Sequence, residues 1–149
     1  MNWTAQDMDT YLQQKEYIDT LIVPLLKVDT EPGNMKSSAS SSEFLMYLTT
    51  FIETQFKGRM MLMPPYAYTQ SMNLPEMATT LTRDLSLAPF KYVFFLTTDS
   101  AWTSIEIEGE VIWLPPIPLE SMDPQLKKTI IEDQLRQVLP RFMEKWSEQ

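Results

Sequence analysis

Histidine and cysteine are both absent from the 149 residues. Without cysteine there is no disulfide, no thiolate nucleophile and no sulfur-ligated metal site. Without histidine the commonest general base and the commonest transition-metal ligand are gone, so neither a Ser-His-Asp triad nor a zinc site of the usual kind can be assembled. Any chemistry has to come from Asp, Glu, Lys, Arg, Tyr, Ser or Thr, and any metal would be a hard cation on oxygen ligands. Positive charge is also scarce. Twelve Lys and Arg stand against twenty Asp and Glu, a net charge of −8. The basic residues are scattered, which argues against a nucleic-acid partner. No run approaches the ~20 apolar residues of a membrane-spanning helix. The opening Met1-Asn2-Trp3-Thr4 lacks the basic and apolar regions of a secretory signal, and the expected compartment is the cytoplasm.

What is present suffices for one domain over residues 1–149, with 44% hydrophobic residues. Thr4-Ala5-Gln6-Asp7 has the form of a capping box opening a helix to about Lys15. Residues 18–28 form an apolar, β-branched run that predicts a strand, with Pro24 marking an edge, a bulge or the strand's end. Residues 29–42 predict a flexible loop rich in serine. A second capping box, Ser40 with Glu43, then opens a helix that buries Phe44, Leu45, Leu48, Phe51, Ile52 and Phe56. Residues 59–63 predict a short strand stopped by Pro64-Pro65, with Tyr66 and Tyr68 in the loop beyond. Pro75 suits the first turn of a third helix, and residues 92–96 predict a strand buried on both faces.

Residues 104–114 allow two readings. Glu108-Gly109 could turn a hairpin, or only Val111-Ile112-Trp113 is a strand. Asp123-Pro124 starts the last helix, which Pro140 should kink. Strands alternating with helices predict an α/β layered sandwich, a mostly parallel sheet of about four strands with flanking helices and right-handed crossovers.

In such sheets ligands sit outside the carboxyl ends of the strands. Those ends carry Asp29, Tyr66, Thr98, Asp99 and Glu120, an acidic rim with hydroxyls and one aromatic face. Asp99, Asp29 and Glu120 are the candidate catalytic carboxylates, and Tyr66, Thr98 and Asp99 the candidate ligand contacts. Turn-making explains Asp and Thr at strand ends equally well, which weakens the argument from position alone. Gly33-Asn34-Met35-Lys36-Ser37 is not a phosphate-binding loop, since the glycine before the lysine and the earlier glycine are both missing. The serine-rich segment is the one expected mobile cover for the rim. Trp102, in a polar stretch, is expected to be exposed, and Trp113, alternating within a strand, is expected in the core.

Gln55-Phe56-Lys57-Gly58-Arg59, Leu96-Thr97-Thr98-Asp99-Ser100, Ile112-Trp113-Leu114-Pro115-Pro116-Ile117-Pro118-Leu119-Glu120 and Ile130-Ile131-Glu132-Asp133-Gln134 are similar to stretches of the YpiF-like proteins of Bacillus-type bacteria. The resemblance spans nearly the whole chain. It implies a stand-alone cytoplasmic protein and carries no activity, cofactor or catalytic residue with it. It also associates the family with menaquinol:cytochrome c reductase subunits through neighbouring genes. The leading expectation is therefore a non-enzymatic binding or accessory protein with an unknown protein partner, no cofactor and no metal. The alternative is a small-ligand or Mg-dependent enzyme using the carboxylates at the strand ends.

Overall fold

The apolar run predicted as the first strand forms β1, Thr20–Val28, and it lies in the middle of the sheet. The computed structural model describes residues 1–148. Before β1 comes α1, Ala5–Gln14, capped as expected by the Thr4 hydroxyl accepting from the Asp7 amide at 3.1 Å. The Asp7 carboxylate reaches back past the cap to the Asn2 amide, at 2.7 Å. After β1 the chain forms α2 (Met35–Gln55), β2 (Met60–Leu62), β3 (Tyr66–Thr69), α3 (Leu74–Leu85) and β4 (Tyr92–Thr97). A short 3-10 helix, Ser100–Ser104, leads to β5 (Glu110–Trp113) and then to α4 (Pro124–Trp146). The order across the sheet is β2-β1-β4-β5, with β3 also on β1, and every pairing is parallel.

Helices cover both faces of this sheet. Ile22, Phe94, Leu96 and Ile112 pack under α2 and α4, against Leu45, Leu48, Ile131 and Phe142. Leu21, Val23, Leu25 and Phe95 pack on the other side, against Tyr11 of α1, Met77 and Leu81 of α3, and Trp102 of the 3-10 helix. β1 is buried from both sides, which explains why its sequence is apolar without alternation. The chain leaves β1 through α2 on one face and returns to β4 through α3 on the other, so the sheet is doubly wound with its switch point between β1 and β4.

Several expectations are corrected. Pro24 is neither at an edge nor at the strand's end. It pairs in register with Leu96 of β4, inside the central strand. Proline lacks only the amide hydrogen, so the question is which neighbour that position faces. Ile22 gives its carbonyl to the Met63 amide, and two residues later the same side of β1 is again turned toward that neighbour. There the neighbour breaks. Ile22 lies opposite Leu62 but Leu25 lies opposite Tyr66, so one extra residue is accommodated around Met63, Pro64 and Pro65. The bulge is in the partner strand, and β2 and β3 are its two halves. Tyr66 and Tyr68 are accordingly strand residues, not loop, and the sheet has five strands.

The serine-rich segment is helix rather than flexible cover, and α2 starts at Met35, five residues before the Ser40 cap expected from sequence. Serine disfavours helix interiors when its hydroxyl competes for the local backbone. Here two hydroxyls are occupied elsewhere: Ser38 donates to the Lys27 carbonyl at 3.3 Å, and Ser40 to Glu120 at 3.1 Å. Residues 104–114 contain no hairpin; only the second run is a strand, parallel to β4. Gly109, at φ 111°, permits that entry, because a Cβ there would lie 2.9 Å from the Val93 carbonyl oxygen. The two tryptophans exchange their expected places. Trp102 is fully buried, while Trp113 is 42% exposed at the end of the outermost strand. α4 runs unbroken through Pro140.

Polar clamps finish the sheet edges. Met1 and Asn2 lie along β2, with the Leu62 amide donating to the Met1 carbonyl and the Met1 ammonium donating to the Met60 carbonyl. Under that ammonium sits Glu53, 2% exposed, which also receives Lys57 and Asn2. On the opposite edge Arg141 of α4 donates to the Val111 carbonyl and to Glu110, and Lys145 pairs with Glu110 at 3.2 Å. Burial pushes Glu110 up, but the Lys145 and Arg141 contacts outweigh it and hold its carboxyl below the ordinary 4.5. A carboxylate lowered in the folded state adds stability above its unfolded value and loses it as pH falls through the folded one. Urea-denaturation midpoints are therefore expected to drop as pH is lowered below that ordinary value, and Glu110→Gln is expected to flatten part of the drop.

Candidate functional site

At the switch point the carboxyl ends of β1 and β4 diverge and leave a crevice of about 410 Å³. β1 supplies Lys27 and, just past its end, Asp29; β4 is followed by Thr98, Asp99 and Ser100. The third wall is the start of α2, with Asn34, Ser37, Ser38 and Ser41. Folding the serine segment into helix is what places these hydroxyls at the strand ends.

Each carboxylate in the crevice is anchored. Asp29 accepts from the Glu31 amide at 3.0 Å and from the Asn34 side chain at 3.1 Å, and its own amide donates to Ser38 at 2.9 Å. Asn34 is the N-cap residue of α2, yet its side chain serves Asp29 and Glu31, so the first turn of α2 has no side-chain cap. By contrast α1, α3 and α4 are capped by Thr4, Asn73 and Asp123.

Asp99 is held from beneath by a buried chain of donors. The Trp102 indole N–H donates to the Tyr68 oxygen at 2.8 Å, and the Tyr68 hydroxyl donates to one Asp99 oxygen at 2.6 Å. The other Asp99 oxygen accepts from the Ala101 amide at 3.0 Å and caps the 3-10 helix. The Tyr68 and Trp102 rings meet edge to face, 5.8 Å between centroids. Burial, and then the bond to Asp99, push the Tyr68 phenol well above its ordinary range, so it stays a donor at any physiological pH.

The structure brings Asp29, Thr98 and Asp99 together and leaves two sequence candidates outside. Glu120 is exposed and bonded to Ser40, away from the residues that line the crevice. Its own backbone amide, then the Ser40 hydroxyl, hold its carboxyl below the usual range. Tyr66 begins β3 opposite Leu25, packed into the α1/α3 side of the core. The aromatic residue that matters here is Tyr68, two residues on. Its strand could have been suspected from Tyr66-Ala67-Tyr68-Thr69, a short alternating run. Among the described residues no group of three or more carboxylates could hold a metal ion. No described helix is long and apolar enough to cross a membrane. A second cavity of about 410 Å³ lies at the opposite end of β4 and β5, but Lys145 there already pairs with both Glu110 and Glu148.

Residues 9–146 match a family described as "Protein of unknown function (DUF2487)". The chain is 31% identical over 147 residues, covering 99% of both sequences, to a protein of Bacillus subtilis (strain 168) named "Uncharacterized protein YpiF". The resemblance expected from the sequence motifs is thus borne out. No solved structure matches the chain.

Tyr68→Phe deletes one hydroxyl without changing the ring, and leaves the Trp102 indole and one Asp99 oxygen short of a partner. The expected cost is about 1–3 kcal/mol, measured by urea denaturation against the wild type.

Proposed function

The chain belongs to the DUF2487 family of proteins of unknown function, and we propose that it is a non-enzymatic binding protein that holds a small polar ligand in the crevice between Asp29 and Asp99. The observation that carries this reading is the convergence of uncommitted hydroxyls on committed carboxylates. Among the described residues, Ser38 is the one lining hydroxyl drawn into hydrogen bonds within the protein. Ser37, Ser41, Thr98 and Ser100 line a space whose volume suits a small molecule. Lys27 adds a single positive charge.

The enzyme reading draws on the same place, since Asp29 and Asp99 line one crevice. Against it stands the use to which each carboxylate is put. A general base must be free to take a proton and give it up. Asp29 anchors its turn through two hydrogen bonds, and Asp99 caps the 3-10 helix with one oxygen while Tyr68 holds the other, so protonating either one would loosen the segment that shapes the crevice. Glu120, the third candidate, is outside.

A thermal-shift panel of nucleosides, sugars, amino acids and organic acids tests the proposal. A ligand at one hundred times its Kd adds about 2.7 kcal/mol of stability, which for a domain of this size is roughly 5–10 °C in Tm. Ser41→Phe, which fills the crevice, is expected to abolish that shift. Stabilisation by no compound, or an equal shift in Ser41→Phe, would contradict the proposal; turnover of the bound compound that is lost in Asp99→Asn would favour the enzyme reading.

A further inference from the structure

We infer that the crevice recognises a vicinal diol, the paired hydroxyls of a sugar or ribose ring, through the carboxylate of Asp99, and that Tyr68 and Trp102 act as its positioning residues. The inference rests on the binding reading above and narrows it to a ligand class.

Four observations lead there. The first is the state of Asp99. Each carboxylate oxygen can accept two hydrogen bonds. One oxygen takes the Tyr68 hydroxyl and the other the Ala101 amide, which leaves one acceptor site on each. One free acceptor site on each oxygen of a single carboxylate suits two donors carried on adjacent atoms. The second is rigidity. The Asp99 side chain is not a loose surface group, because Tyr68 is only 2% exposed and Trp102 fully buried. A carboxylate fixed in this way gives up little rotamer freedom when it binds.

The third observation weighs a diol against a cation. Adjacent donors are also carried by a guanidinium, which pairs well with carboxylates. Here Lys27 lines the same crevice and offsets one of its two carboxylates, so the lining as a whole attracts a cation less than Asp99 alone would, and L-arginine in the titration below decides between the two. The fourth is the rest of the lining. Hydroxyls both donate and accept, so Ser37, Ser41 and Thr98 can complement the remaining hydroxyls of a sugar. No aromatic ring is among the lining residues to stack on a base. A ligand is therefore expected to be selected at its sugar ring.

The diol can come from a free sugar or from a nucleoside, and the test separates the two. Methyl β-D-ribofuranoside, its 2-deoxy counterpart, adenosine, 2′-deoxyadenosine and L-arginine are titrated into uniformly ¹⁵N-labelled protein, the methyl group holding the free sugar as a furanose so that the deoxy form has no vicinal diol. The assigned Trp102 indole N–H resonance is followed, since it reports on the far end of the Tyr68–Asp99 chain. The riboside and adenosine are expected to shift that resonance, and each deoxy partner to bind about tenfold more weakly or worse, because one charge-assisted hydrogen bond is lost. Comparable binding of both diols assigns the sugar alone, and a response to adenosine only assigns a nucleoside.

Tyr68→Phe supplies the readout that a merely structural role would not move. Loss of positioning is expected to collapse the diol-to-deoxy preference toward unity, whereas a merely structural tyrosine would weaken both and leave their ratio intact. Asp99→Asn keeps an oxygen to cap the 3-10 helix and is expected to lose the preference as well, so the test survives if Tyr68→Phe folds poorly. Equal binding of diol and deoxy forms, a Trp102 response to arginine without one to the diols, or no response to any of the five overturns the inference. A panel compound without a diol that binds in a Ser41-dependent manner would overturn it while leaving the binding reading in place.

Discussion

Pro24 sits in the middle of the central strand without an amide hydrogen, and the neighbouring chain accommodates it with one extra residue. Much of the molecule's functional end follows from that adjustment. On β1, Leu21, Val23 and Leu25 face the layer of α1 and α3. Opposite them, the odd-numbered Met61 faces the same way before the bulge, and the even-numbered Tyr66 and Tyr68 do so after it. An unbroken register would turn that segment over, because a one-residue slip exchanges the two faces of a strand. The bulge around Met63, Pro64 and Pro65 is thus what brings Tyr68 under Trp102 and within 2.6 Å of Asp99.

The crevice inherits its character from this arrangement. A doubly wound sheet opens a gap where its crossovers part, whatever the sequence. What is particular to this chain is how the gap is furnished. On one side a buried tyrosine and tryptophan fix a carboxylate, and on the other a serine-rich helix start, uncapped because Asn34 is bonded to Asp29 and Glu31, presents hydroxyls. On the proposed reading, carboxylates fixed by these bonds and hydroxyls lining the same space serve to hold a polar molecule.

The layered α/β class and the main helices were legible because each had a strong local signal: the Thr4–Asp7 cap, the Asp123-Pro124 start, the apolar runs at 18–28 and 92–96. Asp29, Thr98 and Asp99 were legible as site candidates because strand ends are predictable once strands are. What was not legible depended on partners distant in sequence. Serine composition suggests a loop, and the contacts that occupy Ser38 and Ser40 lie at Lys27 and Glu120, invisible to a local reading. Trp102 stands among polar neighbours, yet a fully buried indole needs only one acceptor, and the Tyr68 oxygen supplies it from 34 residues away. Pro24 is accommodated by an extra residue in the neighbouring strand, which no pattern local to Pro24 reveals.

The exchange of the Trp102 and Trp113 indole hydrogens with solvent tests the central arrangement most directly. The register shift opposite Pro24 predicts a Trp102 indole N–H that persists long after transfer to heavy water, because it is buried and bonded to Tyr68. The Trp113 indole, bonded only to the Thr98 carbonyl on a half-exposed edge, is predicted to exchange quickly. The reverse order, with Trp102 exchanging as fast as a surface indole and Trp113 protected, would contradict the placement of Tyr68 and with it the account of the crevice.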